Sequence, residues 1–190
     1  MSRGNILFCL TGSIACYKAC ATISRLAQAG VRVQTVATPA ALRFVGTATL
    51  EALSGRPVFS DLWEEGRALD HIEEARKADL ALVCPATANT INGLAAGLAD
   101  NLIGTLFLAW ELPEKPWWIA PAMNSRMWSH PATQDSIERL KAWKVRILDP
   151  AEGSLACGEI GPGRLADPEA IAAEVIAFLD KRDSHAKGKA

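Results

Sequence analysis

Neither sign of charge dominates this chain. Its 20 Lys and Arg against 21 Asp and Glu leave a formal net charge of −1, so no basic excess marks it for nucleic acid or for an anionic membrane surface. Long apolar runs are missing too, and no segment reaches the roughly 18 residues that cross a bilayer. Near the N-terminus, Arg3, the apolar residues 6–10 and Ala19-Cys20-Ala21 loosely imitate a signal peptide. Thr11-Gly12-Ser13 interrupts that run, however, and no uninterrupted apolar core follows. The five cysteines form no Cys-x-x-Cys pair, and an odd count suits a disulfide framework poorly. Cys9 and Cys84 lie in apolar runs, where a free thiol behaves as a small hydrophobe. Cys16 and Cys20 stand at i, i+4 without a His or carboxylate nearby, which favours core packing over metal binding. Gly-x-Gly-x-x-Gly and Walker loops are both absent, against dinucleotide and nucleoside triphosphate readings. The expectation is a reduced, cytoplasmic protein that binds no metal, no nucleic acid and no membrane.

What is present reads as one domain. Hydrophobic residues make up 49% of 190, enough to bury a sizeable core. Short apolar runs at 5–10, 31–37, 79–85, 117–120 and 144–148 suit buried strands, and helical patterns separate them. Alternating strands and helices predict an α/β fold: a doubly wound parallel sheet in a single flavodoxin- or Rossmann-like three-layer domain over 1–180. In such sheets ligands sit beyond the carboxyl ends of the strands. The residues there are Gly12 and Ser13 after the first strand and Thr38 after the second. Ala86, Thr87, Ala88 and Asn89 follow the third, and Pro121-Ala122-Met123-Asn124 follows Ala120 at the end of the fourth. Pro121 is expected to stop its strand, having no N–H for the ladder. Residues 102–110 are apolar almost all round, so that helix must be covered by the sheet, by a partner subunit, or by both. Between 149 and 167 lie four glycines and two prolines with little helix or strand pattern. A loop that long in a compact domain is uncommon and usually functional or disordered. A helix over 168–180 closes the domain, and the charged residues 181–190 are expected to be a disordered tail.

Several of these residues have two readings. Ser13 beside Gly12 can cap a helix or leave its first N–H groups for a phosphate. Thr38 is a common pre-helix residue. Asn124 can be a helix N-cap among ordinary core methionines, or a site residue with two donors and an acceptor. A lone His such as His71 is more often a surface or packing residue than a catalyst, and Cys157 can be a thiol that is merely tolerated.

The motifs as written shift that balance. Pro121-Ala122-Met123-Asn124-Ser125-Arg126-Met127-Trp128 resembles the Pro-x-Met-Asn-x-x-Met-Trp signature of the flavin-containing cysteine decarboxylases, the phosphopantothenoylcysteine decarboxylase family. Gly12-Ser13-Ile14-Ala15 matches a family turn that contacts the phosphate region of FMN, and Thr38 stands where the family has a flavin-touching Ser or Thr. His71-Ile72-Glu73 resembles the family's active-site His. Residues 153–164 resemble its substrate clamp, Gly-x-Leu-Ala-Cys-Gly-x-x-Gly-x-Gly-Arg, with Leu165 in place of the usual Met.

The resemblance implies FMN-dependent decarboxylation of 4′-phosphopantothenoylcysteine to 4′-phosphopantetheine in coenzyme A biosynthesis. The cysteine thiol would be oxidised, CO₂ lost, and the resulting enethiolate reduced again. It implies catalytic roles for His71, Asn124 and Cys157, with Asn124 on the substrate carboxylate and Cys157 as proton donor. It further implies a cofactor site at Gly12, Ser13, Ile14, Thr38, Ala86, Thr87, Ala88, Asn89 and Ala120, and substrate contacts from Ala122, Met123, Asn124 and Arg164. The family forms trimers or shells built from trimers, so a homo-oligomer is expected. Two alternatives share the fold: a peptidyl-cysteine decarboxylase and a non-catalytic FMN-binding regulatory subunit. A flavin-modifying partner of aromatic acid decarboxylases is disfavoured, because it lacks both the Asn motif and the Cys clamp.

Overall fold

Strand formation follows the apolar runs. In a computed structural model, which describes residues 3–61, 70–154, 158 and 160–187, β1 is Asn5–Leu10, β2 Arg32–Ala37, β3 Leu80–Ala86, β4 Trp117–Pro121 and β5 Arg146–Ile147. All neighbours pair in parallel, in the order β2-β1-β3-β4-β5. The helices are α1 (Cys16–Gln28), α2 (Thr47–Ser54), α3 (Asp70–Lys77), α4 (Ala88–Ala95), α5 (Leu102–Leu108), α6 (Ser125–Ser129), α7 (Pro131–Ala142) and α8 (Pro168–Lys187).

The two-residue period of each strand divides the core into two layers. Ile6, Phe8, Leu10, Leu80, Leu82 and Cys84 pack on one face with Ile23 and Leu26 of α1 and Val175 and Leu179 of α8. Leu7, Cys9, Ala81, Val83, Trp117 and Ile119 pack on the other with Ile91 of α4, Leu106 of α5 and Ile137 of α7. With both faces covered, the strands are apolar runs rather than alternating ones. This is the doubly wound three-layer sheet expected.

Four boundaries differ from the sequence pattern, each for a visible reason. Pro121 is the last residue of β4 rather than the first beyond it, in register with Ala86. Residues 149–167 are not wholly irregular, since β6 (Ala151–Ser154) pairs antiparallel with β7 (Ile160–Arg164). The helix expected to end at 180 continues to Lys187, and Arg182 fastens that added stretch to Asp79 with an ion pair of 2.8 Å and a bond to its carbonyl of 3.1 Å. The helix expected over 102–110 ends at Leu108.

α5 is buried by its own chain. Leu102, Ile103, Gly104, Leu106 and Phe107 are all buried, and Phe107 meets Trp117 edge to face at 5.0 Å. Leu108 is exposed. Asn101 caps the helix, its Oδ1 accepting from the N–H of Ile103 and Gly104 at 3.0 and 3.2 Å. No helix among the described residues is long and apolar enough to cross a membrane.

Gly104 permits the tight entry to α5, because a Cβ there would lie 2.3 Å from the carbonyl oxygen of Leu98. Gly104→Ala should gain up to about 1 kcal/mol of helix propensity and lose about 1–3 kcal/mol to overpacking. A net fall in the urea midpoint is expected; a variant as stable as the parent would show that the 98–101 turn yields freely.

Candidate active site

β1 lies between β2 and β3, so the chain leaves the sheet in opposite directions from the neighbouring ends of β1 and β3. Thr11, at the tip of β1, spans this divergence. Its hydroxyl donates to the carbonyl of Pro85 at 2.7 Å and accepts from the N–H of Thr87 at 3.0 Å. Its own N–H bonds the same Pro85 carbonyl at 3.3 Å, and its carbonyl accepts from the N–H of Ser13 at 2.8 Å. The side chain is buried. One residue therefore ties the turn that opens α1 to the turn that opens α4.

Around this knot the small residues have separate reasons. A Cβ on Gly12 would stand 2.6 Å from that of Ala40, so glycine lets the turn after β2 lie against it. Ser13 is not the N-cap of α1; the helix starts at Cys16, and Ser13 Oγ accepts from the N–H of Ala15 at 3.2 Å within a preceding turn. Thr87 caps α4, accepting from the N–H of Thr90 at 3.3 Å. The Thr38 hydroxyl faces its own turn, donating to Leu10 and accepting from Ala41.

Asn124 takes the capping role. Its Oδ1 accepts from the N–H of Arg126 at 2.8 Å at the start of α6. The turn that carries it is also clasped by β7. The N–H of Met123 donates to the carbonyl of Gly163 at 2.9 Å. A Cβ on Gly163 would meet the Met123 carbonyl at 2.4 Å, and one on Gly161 would meet Ser125 Oγ at 2.6 Å. Gly163 also has φ +122°, a conformation that favours glycine.

These elements enclose a cleft of about 560 Å³, within the range of pockets that hold cofactor-sized ligands. Gly12, Ser13, Ile14, Ala15, Tyr17 and Lys18 form one side, and Thr87 and Ala88 the base. Ala122, Met123, Asn124 and Met127 form a second side, closed by Gly163, Arg164 and Leu165. Small side chains and backbone give a flat ring room to approach. Lys18 and Arg164 supply positive charge, and no carboxylate stands among the described lining residues. The cleft suits an anionic, partly planar ligand.

Of the expected residues, Gly12, Ser13, Ile14, Thr87, Ala88, Ala122, Met123, Asn124 and Arg164 come together at this cleft. Ala86 and Ala120 are fully buried strand ends beneath it. Thr38 does not line it, and Asn89 is exposed and borders a separate hollow with Thr90, Asp100 and Asn101. His71 is the second residue of α3, but its side chain lies outside the described residues, as does all of Cys157. Ala15, Tyr17, Lys18, Met127, Gly163 and Leu165 line the cleft as well, outside the expected set. Helical spacing could have found Met127, which follows Asn124, the N-cap of α6, by three residues.

The other thiols are poor candidates for chemistry. Burial pushes Cys9, Cys16, Cys20 and Cys84 above the ordinary thiol range, so they stay protonated.

Strand order and cleft together define a flavodoxin-like α/β protein whose ligand site lies at the switch point between β1 and β3. The chain matches the flavoprotein family over residues 1–180 and belongs to it. It is 42% identical over 168 residues to a probable phosphopantothenoylcysteine decarboxylase of Streptococcus mutans, covering 87% of this chain and 93% of that protein. It is 45% identical over 173 residues to the coenzyme A biosynthesis bifunctional protein CoaBC of Bacillus subtilis, covering 90% of this chain. The match spans 42% of that longer relative. Among solved structures, a cysteine-to-serine mutant of PPC decarboxylase complexed with pantothenoylaminoethenethiol superposes with a TM-score of 0.83 at 30% identity, over 93% of this chain and 98% of that one. The FMN-dependent cysteine decarboxylase SpaF superposes with a TM-score of 0.78 at 30% identity, over 94% and 98%.

Thr11→Val keeps the shape of the side chain but leaves the N–H of Thr87 and the carbonyl of Pro85 without the hydroxyl. A loss of about 1–3 kcal/mol is expected in urea unfolding, together with weaker flavin binding. Thr11→Ser should recover both. Equal stability of the Val and Ser variants would remove the hydroxyl from this account.

Proposed function

We propose that the protein decarboxylates the cysteine moiety of 4′-phosphopantothenoylcysteine, using FMN, to give 4′-phosphopantetheine for coenzyme A. The observation that carries this reading is the Asn124 turn, clasped by β7 at the edge of a cationic switch-point cleft. The likeness to the S. mutans decarboxylase, which extends over nearly all of that protein, supports it. FMN is favoured over a dinucleotide because the 2-1-3-4-5 strand order carries FMN at this point in flavodoxins. The close-set Gly12, Ala15, Ala88 and Ala122 suit a flat ring, and SpaF, which shares the fold, is an FMN-dependent enzyme. Gly12, Ser13, Ile14, Thr87 and Ala88 would hold it, over a floor of Ala86 and Ala120.

Bound FMN supplies a reversible two-electron sink, which lets the carbon bearing the sulfur be oxidised before CO₂ leaves and reduced afterwards. The chain supplies orientation and protons. Asn124 presents a neutral amide to the substrate carboxylate, and Met123 and Met127 keep that end of the cleft apolar. Arg164 draws in the anionic substrate. Cys157 donates the proton that the enethiolate takes up as the two electrons held by the reduced flavin return to it, and His71 assists the carboxylate or the thiol proton. Cys157 is favoured because none of the other four thiols lines the cleft.

The cytoplasm is the compartment we propose, in keeping with free thiols at Cys9, Cys16, Cys20 and Cys84. The assembly we propose is a homotrimer or a multiple of it. α5 no longer supports this, since its own chain covers it. The exposed Ile14, Tyr17 and Met127 beside the cleft do, because apolar side chains around a site are what a neighbouring subunit would cover. Light scattering should give a mass of three chains or a multiple; a flavin-loaded monomer would overturn the assembly.

Incubation of the purified, yellow protein with 4′-phosphopantothenoylcysteine should yield 4′-phosphopantetheine by mass. Colourless protein that takes up no added FMN would reject the reading. In single-turnover mixing under anaerobic conditions, Cys157→Ser should release about one equivalent of CO₂ per site and leave an enethiol lacking one H₂ relative to the normal product. Serine is a far weaker acid than a thiol of pKa ~8.5. Normal turnover by this variant would make the thiol a bystander. Asn124→Asp should instead block CO₂ release itself, because two carboxylates repel.

A further inference from the structure

The amino end of the sheet has a cavity of its own, of about 230 Å³. The cleft is lined from beyond the last residues of the strands, whereas this cavity takes Asn5 and Arg32, the first residues of β1 and β2. Gln34, Arg56 and, from the last turns of α3, Glu74 and Lys77 complete its polar lining. The charges there are unequal. Lys77 Nζ pairs with Glu73 at 2.9 Å and with Glu74 at 3.6 Å, so Glu74 is answered within its own helix. Asp79 stands outside the lining, engaged by the N–H of Asn5 and by Arg182, both at 2.8 Å. Arg32 and Arg56 have no carboxylate partner among the described residues.

Arg56 is nevertheless held in one orientation. Its Nε donates to Gln34 Oε1 at 3.0 Å. Gln34 is only 8% exposed, and its Nε2 donates to the carbonyls of Pro57 and Thr35 at 2.9 and 3.2 Å. With the amide nitrogen committed to two carbonyls, the amide oxygen is left for the guanidinium. A buried amide costs free energy that Val33 and Val36 on the same strand do not incur. What it achieves on β2 is to fix Arg56 by its Nε edge, leaving the Nη groups without a partner among the described residues.

We propose that Arg32 and Arg56, with Gln34 as the residue that positions Arg56, form a binding site for a small phosphate dianion at the end of the sheet opposite the cleft. Two unpaired guanidiniums match a dianion in charge, and a guanidinium fork binds phosphate through two parallel N–H groups. The volume lies below the roughly 300 Å³ at which pockets for drug-sized molecules begin, which limits the occupant to a phosphate bearing a short substituent or none. The site stands independently of the decarboxylase reading. Its occupant would share no lining residue with the flavin or the substrate, so it would bind the flavin-loaded protein without displacing either.

The test titrates inorganic phosphate into the full-length, flavin-loaded protein by calorimetry, in a phosphate-free buffer, against chloride at matched ionic strength. Phosphate should bind and raise the thermal midpoint as a ligand of the folded state does, and chloride should do neither. Arg32→Gln removes an exposed side chain with no ion-pair partner, so the variant should fold normally, and it should weaken phosphate binding roughly tenfold or more, as loss of one charge-assisted contact implies. Gln34→Leu keeps both cations but frees Arg56, and it should weaken binding as well. Arg164→Ala, in the cleft, should leave phosphate affinity unchanged. Equal responses to phosphate and chloride overturn the proposal, and so does an unchanged affinity in Arg32→Gln. Loss of binding in Arg164→Ala with retention in Arg32→Gln would place the anion in the cleft and overturn it too. Full affinity in a folded Gln34→Leu protein would remove Gln34 from the site.

Discussion

The Thr11 hydroxyl holds together what the sheet topology pulls apart. At the switch point β1 sends its chain to one face and β3 to the other, which opens a crevice with no backbone of its own to line it. A buried hydroxyl that donates to Pro85 and accepts from Thr87 joins the two departing turns at 2.7 and 3.0 Å. Hydroxyls can do both at once, whereas a backbone N–H or carbonyl does one. The positions of Gly12, Ser13, Thr87 and Ala88 relative to one another are therefore held by this side chain together with the Thr11 N–H bond to Pro85. A ligand held between two turns needs that separation fixed to a fraction of an ångström.

The second fixed relation is between β7 and the Asn124 turn. Glycine-rich segments are often read as flexible, but Gly161 and Gly163 serve close approach. Their missing Cβ atoms let β7 lie on Met123 and Ser125 at distances no side chain would allow. The bond from Met123 N–H to Gly163 closes the contact. Asn124 consequently serves structure and site together: its Oδ1 stabilises α6, and that bond orients the amide at the cleft wall. The capping and binding readings of this residue do not compete, because a capped amide would already be oriented for a ligand.

These relations explain which parts of the molecule were legible in the sequence. Buried parallel strands are apolar runs, so β1 to β4 could be read from residues such as Ile6–Leu10 and Leu80–Cys84, and the turns at their ends followed. β6 and β7 could not. Their residues alternate no apolar pattern, and what holds them is backbone contact with a turn nearly forty residues away in sequence. The extension of α8 was hidden for a similar reason, since Arg182 looks like part of a charged tail until Asp79 is seen beside it. Asn89 was misplaced by adjacency. It follows Ala88 in sequence, but one helical residue is a turn of about 100°, and that carries it to the other side of α4.

The distribution of charge in the cleft follows from the ligands it would hold. Two unit charges 4 Å apart interact by about 4 kcal/mol at the effective dielectric of a partly buried site, a factor of about a thousand in affinity. A carboxylate in the lining would set that penalty against a flavin phosphate, a substrate phosphate and a substrate carboxylate alike. The described lining has none, and Asp167, which lines a neighbouring groove, is engaged by the N–H groups of α8. Too much positive charge would be as harmful at the reacting end, because a cation on the substrate carboxylate would stabilise the anion that has to leave as neutral CO₂. A neutral amide at Asn124 would orient the substrate without that stabilisation. The cleft thus carries its positive charge on Lys18 and Arg164 and offers a neutral amide at Asn124.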